Sequence, residues 1–219
     1  MSNRTLLICL GVLTLILVAS SVLAYPRLPE QVAVHWNARG EADGYDGRFM
    51  GVVFLPLLTI AVTLLMLVIP SIDPLRRNIQ QFRATFNLFV LVFSLYMTCL
   101  HALTIAYNLA GPFNMSRWMV PGFAGLFYFV GELVGKAKRN YMIGIRTPWT
   151  LASDAVWEAT HRRGGMLFKA AAVVSLLGFV MPSAAIWWLL VPVLAVSAYT
   201  VIYSYLLYRR LGLQTGTQP

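Results

Sequence analysis

Six apolar stretches, each close to the length of a membrane crossing, limit what this 219-residue chain can become more than any motif does. They are Thr5–Tyr25, Met50–Pro70, Thr85–Tyr107, Trp118–Gly135, Met166–Met181 and Ile186–Tyr208. A crossing takes about 20 mostly apolar residues to traverse about 30 Å of hydrocarbon. Lipid offers no water to a free backbone amide, so each stretch must be helical. The chain is 58% hydrophobic and 11% charged, against about 25% charged in an average soluble domain. One water-soluble core of this size cannot hide that much apolar surface. The expected fold is an all-α integral membrane protein with six transmembrane helices in a lipid bilayer. The fifth stretch is short and is separated from the sixth only by Pro182-Ser183-Ala184-Ala185. These two should form a tight helical hairpin.

The net charge of +9 has the sign of a nucleic-acid binder, but its distribution points elsewhere. With the amino terminus in the cytoplasm, 13 of the 17 Lys and Arg fall on the inner side. Only Arg27, Arg39, Arg48 and Arg117 fall outside. That asymmetry follows the positive-inside rule, so both chain ends are expected inside, and direct nucleic-acid binding is not expected. A competing reading takes the first stretch as a signal peptide cleaved after Val22-Leu23-Ala24. The six-span charge balance works without that cleavage. Cys9 and Cys99 lie in apolar spans toward opposite ends, which disfavours a disulfide.

The natural division is a front domain over 1–83 with two spans and an outer loop at 26–49, then a helical bundle over 84–208 with an inner loop at 136–165. A polar tail follows over 209–219. In the outer loop, Gln31–Trp36 alternates as a short strand would. Asn37–Gly40 reads as a turn in which Gly40 takes positive φ, and Asp43-Gly44 reads as a second turn. The loop is therefore expected to fold as a small cap. His35, Asn37, Glu41, Asp43 and Asp46 have the chemistry to gather around a cation, yet one His poorly supports zinc. A hydrogen-bonded cap built on His35, Trp36, Asn37, Gly40 and Asp43 is the plainer reading, and contact with a ligand or peptide is the sharper one.

The inner loop is the longest polar interruption of the chain. Pro148 turns Thr147 away from helix, and Ser153 or Thr150 is placed to cap a helix starting near Asp154. That helix is expected to run through Arg162, stop at Gly164-Gly165, and lie on the inner surface. Trp149, Val156 and Trp157 would then sit at headgroup depth, with Glu158 paired to Arg162. Glu158-Ala-Thr-His161 matches half of a di-iron motif, but the second half is missing. No Walker, dinucleotide or hydrolase motif is present. The mid-membrane parts of the spans carry few ionisable groups, which weakens a transporter reading. A membrane enzyme or ion-coupled carrier using Glu132, Glu158 and His161 is kept as the alternative, and no cofactor or metal is expected.

The stretch Asn140-Tyr-Met-Ile-Gly-Ile-Arg-Thr-Pro-Trp-Thr-Leu151, followed by Val156-Trp157 and Thr160-His161-Arg162, resembles the SdpI family of bacterial membrane proteins. Pro29, His35-Trp36-Asn37, Gly40 and Asp43-Gly44 resemble the small domain that often precedes it. The resemblance implies an immunity and signalling protein of the cytoplasmic membrane that meets a toxic peptide and captures a cytoplasmic ArsR-type repressor. The inner-loop residues it points to as partner-binding are Asn140, Gly144, Arg146, Thr147, Pro148, Trp149, Trp157, Glu158, His161 and Arg162. Arg146→Ala or Trp157→Ala is then expected to abolish partner capture without affecting insertion.

Overall fold

The structure, a computed structural model, describes residues 1–212. Six helices long and apolar enough to cross a membrane dominate it: Asn3–Arg27, Arg48–Ile72, Arg83–Ala110, Met115–Lys136, Asp154–Val180 and Pro182–Arg210. Their outer faces carry the exposed apolar residues, among them Leu15, Leu57, Leu65, Val180 and Leu194. This is the surface a multi-pass protein of a bacterial membrane presents to lipid.

Helix α1 (Asn3–Ala24) opens with Ser2, whose side chain accepts the Thr5 amide. A single 3₁₀ turn leads to strand β1 (Gln31–Trp36), which pairs antiparallel with β2 (Ala42–Gly47), from Gln31 opposite Gly47 to Trp36 opposite Ala42. The expected strand and the Asn37–Gly40 turn are both present, and Gly40 has φ +78°. Asp43-Gly44, expected as a turn, lies inside β2 instead, because pairing with His35 extends the backbone there.

Helix α2 (Arg48–Ile72) ends at Asp73. A short α3 (Arg76–Gln81) leads into α4 (Arg83–Ala110), and α5 (Met115–Lys136) follows a turn at Gly111. The inner loop carries a one-turn α6 (Pro148–Ala152) before α7 (Asp154–Ser175), α8 (Leu177–Val180) and α9 (Ala185–Arg210). Arg209 and Arg210 of the expected tail thus end α9, and residues 213–219 lie outside the described residues.

Helix α4 packs on α1, α2 and α5, while α5 and α9 flank α7. The closest approach is between α5 and α7. A Cβ on Gly165 would lie 2.7 Å from the Gly131 carbonyl oxygen and from Gly135 Cα. Gly131 and Gly135 form a Gly-x-x-x-Gly step, which lets backbones touch where lipid gives no hydrophobic drive for association. Gly164-Gly165 therefore does not end a helix, as expected from sequence, but seats one. Helix α7 runs through both glycines and continues as the fifth span.

The spans are also less bare inside than their sequences read. Thr59, Thr63, Ser94, Thr98, His101 and Thr104 are buried along α2 and α4. The Thr63 and Ser94 hydroxyls meet at 3.0 Å, and Ser21 meets His101 Nε2 at 2.9 Å. Cys9 and Cys99 are free thiols.

Candidate functional site at the inner loop and outer cap

One end of the bundle gathers the start of α1, the end of α2, α3, the start of α4 and the loop between α5 and α7. Asn87 donates to Asn3 Oδ1 and to the Met1 carbonyl. The Asn78 amide donates to the Arg139 carbonyl. Asp73, 2% exposed, accepts from Leu75 N with Oδ1 and from Tyr141 N with Oδ2. Thr147 and Trp149 reach Ser204 near the end of α9. The amino terminus, the loop and the end of α9 therefore share one face.

Within the loop, fully buried Asn140 serves four backbone groups. Its oxygen accepts from Met142 N and Ile143 N at 2.9 and 2.6 Å, and its amide donates to Lys138 O and Ile143 O at 2.8 and 2.9 Å. Gly144 then takes φ +116°, which L side chains rarely adopt, and a Cβ there would lie 2.4 Å from His161 Nε2. His161 donates from Nδ1 to the Trp157 carbonyl and accepts the Ile145 amide at Nε2, 2.9 Å away. Both ring nitrogens are thereby used, and Nε2 has no lone pair left for a metal. The ring stacks on Trp157 at 3.9 Å, and the Trp157 indole donates to the Ala137 carbonyl at 2.8 Å. Thr147 and Thr150 close a reciprocal cap on α6.

The expected surface helix is thus overturned. Trp157 and Val156 are completely buried in protein, because the first turns of α7 sit against the loop and α5. Trp149 rests on Tyr205 of α9. Glu158 pairs with Lys138 at 2.8 Å rather than with Arg162. Ser153, rather than Thr150, caps α7 by accepting the Val156 amide.

The proposed contact residues therefore separate into two sets. Asn140, Gly144, Thr147, Trp157 and His161 form an internal brace. Arg146, Pro148, Glu158 and Arg162 are exposed on its surface, and Trp149 is half-buried. Arg146 donates to the Tyr141 carbonyl, so its guanidinium sits across the mouth of the loop.

Glu132, the third member of the alternative catalytic trio, lies between Lys136 at 2.5 Å and Lys169. Glu132, Glu158 and His161 are each engaged with other groups and not with one another. No group of three metal-ligating side chains is found among the described residues.

At the opposite end, the hairpin is latched to the helices. The Asn108 side chain accepts the Ala33 amide at 2.7 Å and donates to the Ala33 carbonyl at 3.0 Å. Asn114 donates to Arg39 O, and Met115 N donates to Gly40 O. Asn37 and Arg39 hydrogen-bond the exposed Glu41 carboxylate and hold it below the usual carboxylate range. His35 pairs with Asp43 at 2.6 Å, and Trp36 packs edge-on against Tyr107 at 5.3 Å.

Beside this cap lies a crevice of about 530 Å³, lined mainly by Trp36, Met50, Phe54, Leu55, Leu100 and Met119. The Trp36 indole nitrogen is buried without a hydrogen-bond partner. Sequence reasoning missed Asp73, Asn87, Asn108 and the Gly131–Gly135 step. Only the last had a readable signal, its spacing in an apolar span.

Comparison with known proteins follows this geometry. A model of the SdpI/YfhL protein family matches residues 136–205, from the end of α5 through α9. A domain of unknown function (DUF1648) matches residues 12–60, which include the hairpin. The immunity protein SdpI of Bacillus subtilis (strain 168) is 25% identical over 211 residues, covering 94% of this chain and 95% of that protein. No solved structure matches.

Proposed function

Because the chain belongs to the SdpI/YfhL protein family, we propose that it is an immunity and signalling protein that meets a toxic hydrophobic peptide at its outer end and recruits an ArsR-type repressor at its inner loop. The observation that carries the reading is end-to-end correspondence with a relative named for immunity, combined with a loop whose buried brace holds Arg146, Pro148, Glu158 and Arg162 outward.

Each end offers what its role requires. The outer crevice is lined mainly by apolar side chains, suited to an apolar peptide. The inner rim is exposed and charged, suited to a soluble protein. Helix α2 lines the crevice through Met50, Phe54 and Leu55, and its far end carries the Asp73 contact to Tyr141. Twenty-five helical residues span about 38 Å, so a tilt of α2 at one end is felt at the other. Signalling further requires that the peptide bind one helix arrangement better than the other, since equal affinity would shift nothing.

The test is co-purification of the repressor with full-length protein, with and without peptide. Arg146→Ala is expected to lower capture at least tenfold while insertion and thermal stability stay at wild-type level. Repressor recovered at wild-type yield from that variant would overturn the recruitment reading.

A further inference from the structure

The inner end holds a concavity that shares Glu158 and Arg162 with the proposed recruitment rim but is otherwise lined by residues outside it. It has a volume of about 430 Å³ and lies where α4 begins and α5 ends, lined by Gln81, Phe82, Thr85, Lys136, Lys138 and Arg162, with Glu158 and the His161 ring at its edge. That size falls within the range of about 300–1,000 Å³ typical of small-molecule sites.

Its charges do not cancel. Glu158 neutralises Lys138. Glu132 is shared between Lys136 and Lys169. Arg162 has no carboxylate within ion-pair distance among the described residues, and Arg139, just outside, is already paired with Asp154 at 2.7 Å. Three cations, Lys136, Lys138 and Arg162, thus line the wall with one carboxylate, Glu158, which leaves the wall net positive. The carboxylates fix where Lys136 and Lys138 stand, so the cations are positioned before any ligand arrives. Arg162 contributes the planar fork that matches phosphate oxygens, and the Gln81 amide and Thr85 hydroxyl add neutral donors. Phe82 and the His161 ring give the wall an apolar side against which an ester substituent can lie.

We propose that this pocket binds a phosphate group. The source is either the headgroup of an anionic phospholipid, since the pocket lies at the ends of two membrane-spanning helices, or a soluble phosphorylated molecule. The pocket shares Glu158 and Arg162 with the recruitment reading, but its test contains no repressor and no peptide, so the two fail separately.

Full-length protein would be placed in nanodiscs of phosphatidylcholine with and without phosphatidylglycerol, and retained lipid quantified. In parallel, pyrophosphate would be titrated into both sets of discs. Wild type is expected to hold about one anionic lipid, or one pyrophosphate, per chain. Lys138→Gln with Arg162→Gln should weaken that binding at least tenfold, as expected for lost hydrogen bonds between charged groups. Arg163→Gln is the control, because its guanidinium is committed to Tyr199 and Tyr203 on α9, and it should change binding less than twofold. Thermal melting of each variant confirms folding. Retention of phosphatidylglycerol that pyrophosphate does not displace assigns the lipid source, and saturable pyrophosphate binding assigns the soluble one. Equal losses from Arg163→Gln and from the double variant, or binding by neither probe, would overturn the proposal.

Discussion

Asn140 satisfies two amides and two carbonyls with one side chain, so the loop owes its shape to that residue more than to any turn signal. Asn140→Ala should cost about 2–3 kcal/mol, since buried groups left unpaired each carry a penalty of about 1–3 kcal/mol. Loss of melting temperature in detergent measures it, and an unchanged value would contradict the network. Trp157 behaves differently from what its place in a recognition motif implies. With no exposed surface, it cannot touch a partner. Trp157→Ala should destabilise the fold by about 3–5 kcal/mol, as large-to-small core substitutions do, and should lose repressor capture only through that. Arg146→Ala should leave stability untouched. Equal melting temperatures for Trp157→Ala and wild type would place the indole on the surface after all. The motif was legible as important from its sequence. Which of its residues face inward was not, because the core around Trp157 includes Leu6, Leu10, Ile79, Phe82 and Phe86, which lie far from it along the chain.

At the scale of elements, the contact of α5 with α7 rests on missing side chains. Gly165→Leu would put a Cβ and more where Gly131 O and Gly135 Cα already stand. Overpacking of this kind costs about 1–3 kcal/mol, and here it forces two spans apart. Cysteine pairs placed across α5 and α7 should then crosslink more slowly than in the wild-type background, and an unchanged rate would show that the helices tolerate separation. The hairpin is held by a different device. Asn108→Ala removes both bonds to Ala33, which should release the strands without disturbing the spans. Hydrogen exchange at Val32–Val34 should rise at least tenfold, while exchange within α4 stays slow. Protection retained in the hairpin would mean that pairing of β1 with β2 alone is sufficient. The sequence announced β1 through its alternation. It gave no hint of the latch, because Asn108 and Ala33 are 75 residues apart.

For the whole molecule, the common face of the amino terminus, the inner loop and the end of α9 is a property of the packing. The charge asymmetry predicts that this face lies in the cytosol. Cysteines introduced in a background lacking Cys9 and Cys99 give the check. Met142→Cys should react with an impermeant thiol reagent only after the cells are opened. Tyr45→Cys, 61% exposed on the hairpin, should react from outside in intact cells. The reverse pattern would place the loop outside and end the recruitment reading. Helices α4 and α5 are the spans that line both the outer crevice, through Leu100, Thr104 and Met119, and the inner pocket, through Thr85, Gly135 and Lys136.

Sequence alone determined the six spans, the polar loops between them, the strand at Gln31–Trp36 and a helix start near Asp154. Each is a local matter of composition, alternation or capping, settled within a few residues. Tertiary structure alone decided that α7 continues past Gly164-Gly165, that Glu158 turns to Lys138, and that Trp157 and His161 face inward. Those outcomes turn on which surfaces meet: a glycine ends a helix in water, but in lipid it is also the place where another backbone can come close.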